Sequence, residues 1–330
     1  MAEGRVHDVP TGTPEAVPQP VDAESPHRIP ARGWARVLRR VGRQALDDRL
    51  MLYAAGISFF ALLSIAPVLV TAVSVYGAVN TPEQAMEQLS EVVRKLPDDL
   101  QSLVADQLTT ITAASGEVLT VRGLIGLVFA LYTATTAATY LIDALTLAYH
   151  EPETRSFLRR TGLAVVFVLG GALLVGAVLA GAGRVSGWLD SAPGPVRAAG
   201  PALAWVLLAA LMVAALAVLY RFAPDRKNAR WRWISGGAVV ATLLWLGTSA
   251  GLFAYVQTLG SYEKTYGSLA GVAISMFWLW ISFFLVILGA AVNAEAERQT
   301  VRDSTVGPEQ PLGERGAVVA DSAPPYPDEE

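Results

Sequence analysis

YVQTLGSYEKTYGSLAGVAISMFWLWISFFLVILGAAVNAE, residues Tyr255–Glu295, closes one apolar helix, turns, and opens another. The turn carries Tyr262, Tyr266 and Gly267. The apolar run after it is about 23 residues long, enough for a helix to cross a hydrocarbon core. A chain built around such a hairpin is a polytopic membrane protein.

Composition agrees. The 330 residues are 53% hydrophobic and only 16% charged, where soluble domains carry about 25%. Six apolar blocks reach spanning length: Leu52–Val79, Gly123–Ala148, Leu163–Ala182, Ala202–Phe222, Ile234–Val256 and Leu269–Val292. None alternates with period two, so helices rather than a barrel are expected, because a backbone in lipid must satisfy its own hydrogen bonds. The expected fold is all-α: a bundle of six transmembrane helices over residues 50–297.

Positive charge is segregated. Arg32, Arg36, Arg39, Arg40, Arg43 and Arg49 precede the first span; Arg155, Arg159 and Arg160 follow the second. Arg221, Arg226, Lys227, Arg230 and Arg232 lie between spans four and five, and Arg298 and Arg302 follow span six. The intervening loops are poorer. The positive-inside rule then expects both termini in the cytoplasm.

Residues 1–31 and 298–330 read as disordered tails, the second acidic and proline-containing. No apolar h-region opens the chain, so no cleavable signal peptide is expected. Residues 32–49 read as an amphipathic juxtamembrane helix. Trp34, Val37, Leu38, Val41 and Ala45 share one face, and arginines the other. Such a helix suits an anionic cytoplasmic leaflet or simply sets topology. The segment 80–121 is too long for a turn and is expected on the outer side. Thr81-Pro82-Glu83-Gln84 is a helix start. Met86, Leu89, Val92, Val93 and Leu96, then Leu100, Leu103, Val104, Leu108 and Ile111, predict two short amphipathic helices, a packed cap or a lid.

Span two is the most polar. Tyr132, Thr136, Thr139, Asp143, Thr146 and His150 recur at three- and four-residue spacing, one narrow stripe. Polar groups are costly against lipid, so the stripe is expected to face the bundle interior or a wet cavity. Asp143 is then either a transport residue or a staple to an arginine such as Arg49 or Arg221. Pro67 removes a hydrogen bond inside span one and frames a hinge, a cavity or a static bend. Trp245, Trp278 and Trp280 read as buried packing units, and Trp231 and Trp233 as an interfacial belt. Glu295 is expected as an interfacial charge at the cytoplasmic boundary. Small residues at four-residue spacing (Ala172, Gly176, Ala180; Gly267, Gly271, Ser275) serve helix contacts and leave a homo-oligomer open.

Enzyme signatures are not found. The chain has no cysteine, its histidines are His7, His27 and His150, and no phosphate-binding glycine loop occurs. No catalytic residue, metal, cofactor or nucleic acid is expected. The lipid bilayer, with anionic lipid at its cytoplasmic face, is the expected partner.

Several stretches carry a resemblance: YAAGISFFALLSIAPVL at span one, LIDALTLAYHEPETRSFLRR after span two, YRFAPDRKNARWRW before span five, then SYEKTYGSLAGV, FWLWIS and LGAAVNAE. Together they resemble the YihY/BrkB family of bacterial inner-membrane proteins, over about Gly33 to Glu297. The resemblance implies six spans with cytoplasmic termini in a bacterial plasma membrane. It singles out Pro67, Trp245, Tyr262, Tyr266, Gly267, Gly289, Asn293 and Glu295 as family-like positions. Where the family pattern leads to Asn near Thr146, this chain has Thr. Relatives have been labelled ribonucleases or serum-resistance factors, and some are discussed as transporters of lipid-linked or anionic material. The leading expectation is a transporter or exporter working between span two and the span five–six hairpin. The alternative is a non-transporting membrane scaffold or envelope factor.

Overall fold

The computed structural model describes residues 23–79, 116–191, 193–258 and 268–322. These residues form helices α1 (Ala31–Asp47), α2 (Leu50–Val79), α3 (Gly116–Ala148), α4 (Phe157–Ser191), α5 (Gly194–Phe222), α6 (Trp231–Thr258), α7 (Ser268–Glu297) and the short α8 (Val318–Asp321). Among the described residues β pairing is limited to one isolated bridge, Ala229 with Thr305. Six helices, α2 to α7, are long and apolar enough to cross a membrane. Each overlaps one of the expected blocks. At 35 residues α4 is about 50 Å long, well beyond a hydrocarbon core of about 30 Å. The two helices expected within 80–111, and the turn with Tyr262, Tyr266 and Gly267, lie outside the described residues. α3 already begins at Gly116, inside the segment expected as loop.

The buried core gathers at the basic end of the bundle. Leu50, Ala54 and Ile57 of α2 meet Leu145 and Ala148 of α3, Tyr220 of α5, Trp233 and Ala238 of α6, and Ile287, Ala290 and Ala294 of α7 there. Alanine dominates because lipid tails are as apolar as leucine. Helices in a membrane associate by close packing and hydrogen bonds rather than by escaping water.

The α6–α7 seam shows this most clearly. A Cβ added to Gly237 would stand 2.0 Å from the Gly289 carbonyl oxygen; one added to Gly289 would stand 2.5 Å from the Tyr220 hydroxyl. The two backbones therefore touch. Asn293 closes the contact: its Oδ1 accepts from the Gly237 N–H at 2.6 Å, and its Nδ2 donates to the Ile234 carbonyl at 2.8 Å. Farther along, Trp245 donates to Ser282 at 2.9 Å and Trp278 donates to Ser249 at 3.1 Å, their rings 5.9 Å apart. Each indole N–H thus finds an acceptor where water is absent. Trp280 donates to the Met51 carbonyl of α2 at 3.1 Å. Pro67 lies within α2, which runs helical on both sides of it.

Several expectations are corrected. The tail 298–322 is folded. Gln299, Thr300, Asp303, Ser304 and Thr305 are buried, and so are Arg315, Val319 and Ala320. Two charged side chains organise it. The Arg315 guanidinium donates to the carbonyls of Val301, Gln310 and Ala320; the Asp321 carboxylate accepts from the N–H groups of Gly313, Arg315 and Gly316. Burial opposes ionisation of Asp303, but the Thr305 N–H and hydroxyl and the Gln310 N–H outweigh it and hold the carboxyl below the usual range. Residues 23–31 are ordered too: Ala23 and Ile29 are buried, and the Thr300 hydroxyl donates to the Ala23 carbonyl at 2.6 Å. Trp233 is 1% exposed, a core residue and not part of a belt. In α1 the expected lipid-facing residues Val37, Val41 and Ala45 are buried in the protein core, and Arg40 is buried with them.

Gly237→Ala is expected to destabilise the protein by about 1–3 kcal/mol through overpacking. Gly247→Ala on the same helix meets nothing within 4 Å and should lack that penalty. Thermal unfolding in detergent compares the two, and equal melting temperatures would refute the backbone contact.

Candidate functional site

Two features stand out at the basic end: a knot of buried charges and an apolar cavity above it.

The knot centres on Glu295, near the end of α7 and 1% exposed. A carboxylate this buried needs counter-charge or hydrogen bonds. Arg40 of α1 donates from Nε to Oε2 at 2.5 Å, and its Nη2 reaches the Glu295 carbonyl and the Gln299 side chain, both at 3.1 Å. Oε1 lies 3.0 Å from His150 Nε2 and accepts from Arg298 at 3.1 Å. His150 reaches it because of its backbone. α3 ends with the Glu151 N–H on the Thr146 carbonyl and the His150 N–H on the Leu147 carbonyl, and His150 adopts φ +57°. That is a Schellman end with histidine at the left-handed position that glycine usually fills.

Glu297, two residues on and also 1% exposed, makes a second pair. Arg226 from the α5–α6 loop grips it with two bonds, 2.9 and 2.6 Å, and the Ser304 hydroxyl donates to it as well. The Arg226 guanidinium also sits 5.0 Å over the ring of Tyr149, whose hydroxyl burial pushes far up the titration scale. A third cluster joins the α3–α4 and α5–α6 loops. Asp225 accepts from the Thr154 N–H and hydroxyl, and Arg155 binds Glu153 and donates to the Ala223 carbonyl at the end of α5. Burial opposes ionisation of Asp225, but the Thr154 bonds and the Arg155 charge hold its carboxyl low.

Glu295 was expected at an interface; it is instead buried within protein, because α1, His150 and the folded tail cover it. Both of its oxygens are engaged, so it joins helices. Asp143 pairs with Arg160 at 3.0 Å, not with Arg49 or Arg221. Arg221 instead donates to the Ala229 carbonyl at 2.9 Å and lies 4.4 Å over the Trp231 ring. The threonines of the polar stripe bond within their own helix. Thr136, Thr139 and Thr146 donate to carbonyls one turn back, of Tyr132, Thr135 and Ile142, at 2.8–2.9 Å. Tyr132 is 63% exposed on the bundle's outside.

The cavity among the described residues is apolar. Its volume is about 750 Å³ and its walls come from α2, α3, α4 and α5, with Phe283 of α7. Ala61, Ala138, Phe167, Gly171 and Leu211 represent its apolar lining. None of Tyr132, Thr136, Thr139, Asp143 or Thr146 contributes; Ala134, Ala137, Ala138 and Leu141 represent α3 instead. Val166 and Val218 line it while remaining exposed, so it opens sideways toward lipid.

The sequence matches the family model described as Virulence factor BrkB over residues 41–313. The chain belongs to this family. Among BrkB-family relatives, the ribonuclease-like protein YfkH of Bacillus subtilis is 29% identical over 73% of this chain and 88% of its own length. A UPF0761 membrane protein of Verminephrobacter eiseniae is 30% identical over 81% of this chain and 63% of its own. One from Laribacter hongkongensis is 26% identical over 77% and 59%. This chain therefore spans about three-fifths of those UPF0761 proteins. No solved structure matches the chain. The matched region ends at 313, inside the folded tail, so the BrkB region includes most of the knot.

Of the family-like positions, Trp245, Gly289, Asn293 and Glu295 fall on the α6–α7 seam or in the knot. Sequence reasoning passed over Arg40, Arg226, Glu297 and Gly237. A signal was present: two acids, Glu295 and Glu297, follow an apolar helix directly into an arginine-rich side.

Glu295→Ala leaves Arg40 buried without its carboxylate, and is expected to cost about 3–5 kcal/mol. Asp143→Asn, at a partly exposed pair, should cost far less. Thermal unfolding of both variants in detergent provides the comparison; similar losses would show that Glu295 is not the organising charge.

Proposed function

We propose that this BrkB-family membrane protein moves an amphiphilic, lipid-linked molecule, and that the cavity among α2–α5 receives its apolar part. The observation that carries the reading is that cavity: about 750 Å³, apolar, and open to the side. Such a volume falls in the range of ligand sites, about 300–1,000 Å³. Beside a bilayer its natural occupant is a hydrocarbon chain. Apolar walls give little preference among chains, because lipid is equally apolar. Selectivity must then come from the polar end of the substrate. Arg160 lies on the same face of α4 as Phe167, Gly171 and Leu174 by its seven-, four- and three-residue spacing. Arg160 stands about two turns toward the basic end from Phe167, and its partner Asp143 follows closely after the lining Leu141 on α3, a position suited to a headgroup. The reading assigns transport and no catalytic step.

Gly171→Trp tests it. A Cβ there meets nothing within 4 Å, so the larger side chain enters the cavity without displacing backbone. In proteoliposomes it is expected to abolish movement of a fluorescent phospholipid between leaflets. Leu173→Trp, at a side chain 75% exposed to lipid, should leave movement unchanged. Equal rates in both folded variants, or no movement with the unaltered protein, would favour a non-transporting scaffold.

We further assign the basic end, with both described termini, to the cytoplasmic side of the bacterial plasma membrane, on the strength of its arginine excess. Because the chain has no cysteine, Glu309→Cys provides a label without background. It is expected to react with an impermeant maleimide only in inverted vesicles, and reaction from the outside of intact cells would reverse the assignment.

A further inference from the structure

α1 has two faces, and the knot uses only one. Val37, Arg40, Val41, Gln44 and Ala45 turn inward. Ala35, Leu38, Gly42 and Leu46 follow three- and four-residue spacing along the other side, where Leu38 is 58% and Leu46 70% exposed. Arg32, Arg39 and Arg43 flank this strip and are also exposed. No acid interrupts the basic run before Asp47.

Position identifies what covers it. α1 ends at Asp47 and the spanning helix α2 begins at Leu50. Only two residues separate them, so Leu46 is held within a turn of the membrane boundary. α1 is also anchored against α7 through Arg40 and Glu295. The Leu46 end of the exposed strip therefore lies beside the start of the first spanning helix. Two leucines set among small residues and bordered by arginines form the pattern of a helix lying in the headgroup layer. Gly42 adds to this, since a Cβ there meets nothing within 4 Å and the strip stays shallow between the two leucines.

We propose that this outward face of α1 binds anionic phospholipid headgroups of the leaflet at the basic end. Leu38 and Leu46 enter the acyl boundary, and Arg32, Arg39 and Arg43 meet the phosphates. The face shares Leu38 with the one the sequence pattern suggests for lipid, but Val37, Val41 and Ala45 of that pattern are buried in the protein. The binding is independent of the cavity and of what the cavity carries.

The test uses the full chain with Leu46→Cys labelled by an environment-sensitive fluorophore, in nanodiscs of phosphatidylcholine with or without phosphatidylglycerol. Expected is a blue-shifted emission, quenched by bromine-substituted acyl chains, and stronger when phosphatidylglycerol is present. Raising salt should reverse the phosphatidylglycerol-dependent part, as screening requires. The combined Arg32→Gln, Arg39→Gln and Arg43→Gln substitution should remove that part while leaving quenching in phosphatidylcholine. A label equally open to aqueous iodide in both lipids would overturn the proposal. So would a shift indifferent to both lipid charge and salt. The salt arm needs no variant, so it decides the matter even if the arginine substitution impairs folding.

Discussion

A carboxylate at 1% exposure is tolerable only where opposite charge and hydrogen bonds meet it, and Glu295 imposes that condition on the whole basic end. Arg40 has to come from α1, His150 from the end of α3 and Arg298 from the start of the tail. Three separate parts of the chain are thereby committed to one point. Glu297 repeats the arrangement with Arg226, adding the α5–α6 loop and, through Ser304, the tail. The geometry of His150 shows how strong the constraint is. A non-glycine residue sits in the left-handed region, and the side chain so directed reaches Glu295.

Within the membrane the logic differs. There the seam between α6 and α7 depends on removing side chains, at Gly237 and Gly289, so that Asn293 of α7 can bond two backbone groups of α6. Tyr220 adds α5 by donating to the Val286 carbonyl at 2.7 Å. Beside this close packing lies the apolar cavity between α2, α3, α4 and α5. A rigid end joined to an open flank is an arrangement in which one side can take up a guest without loosening the other.

The spans were legible because twenty apolar residues in a row have few alternatives to crossing a bilayer. The site was less so. Helical periodicity identifies a stripe from Tyr132 to Thr146 but does not say which way it faces; threonine hydroxyls bonded to their own helix need no cavity. Glu295 looked peripheral because hydropathy ends near it, and hydropathy does not see that α1 and the tail close over that boundary. The tail itself was misread for a definite reason. Its order comes from Arg315 and Asp321 gathering backbone groups, with glycines at positive φ, Gly313 and Gly316, allowing the turns. Composition counts such residues toward disorder. The α6–α7 seam lies between: Gly289 and Asn293 stood out in the motif, but their partner Gly237 has no signature of its own.

The order of the knot along the chain bears on how the protein is made. Arg40, His150 and Arg226 are all synthesised before Glu295 and Glu297. Each of these partners belongs to a segment at the basic end, so it is made before the acids emerge. α7 is therefore the keystone of biosynthesis: Arg40 and Arg226 cannot reach Glu295 and Glu297 until its last turn is made. A chain stopped before that turn would carry Arg40 and Arg226 without Glu295 and Glu297.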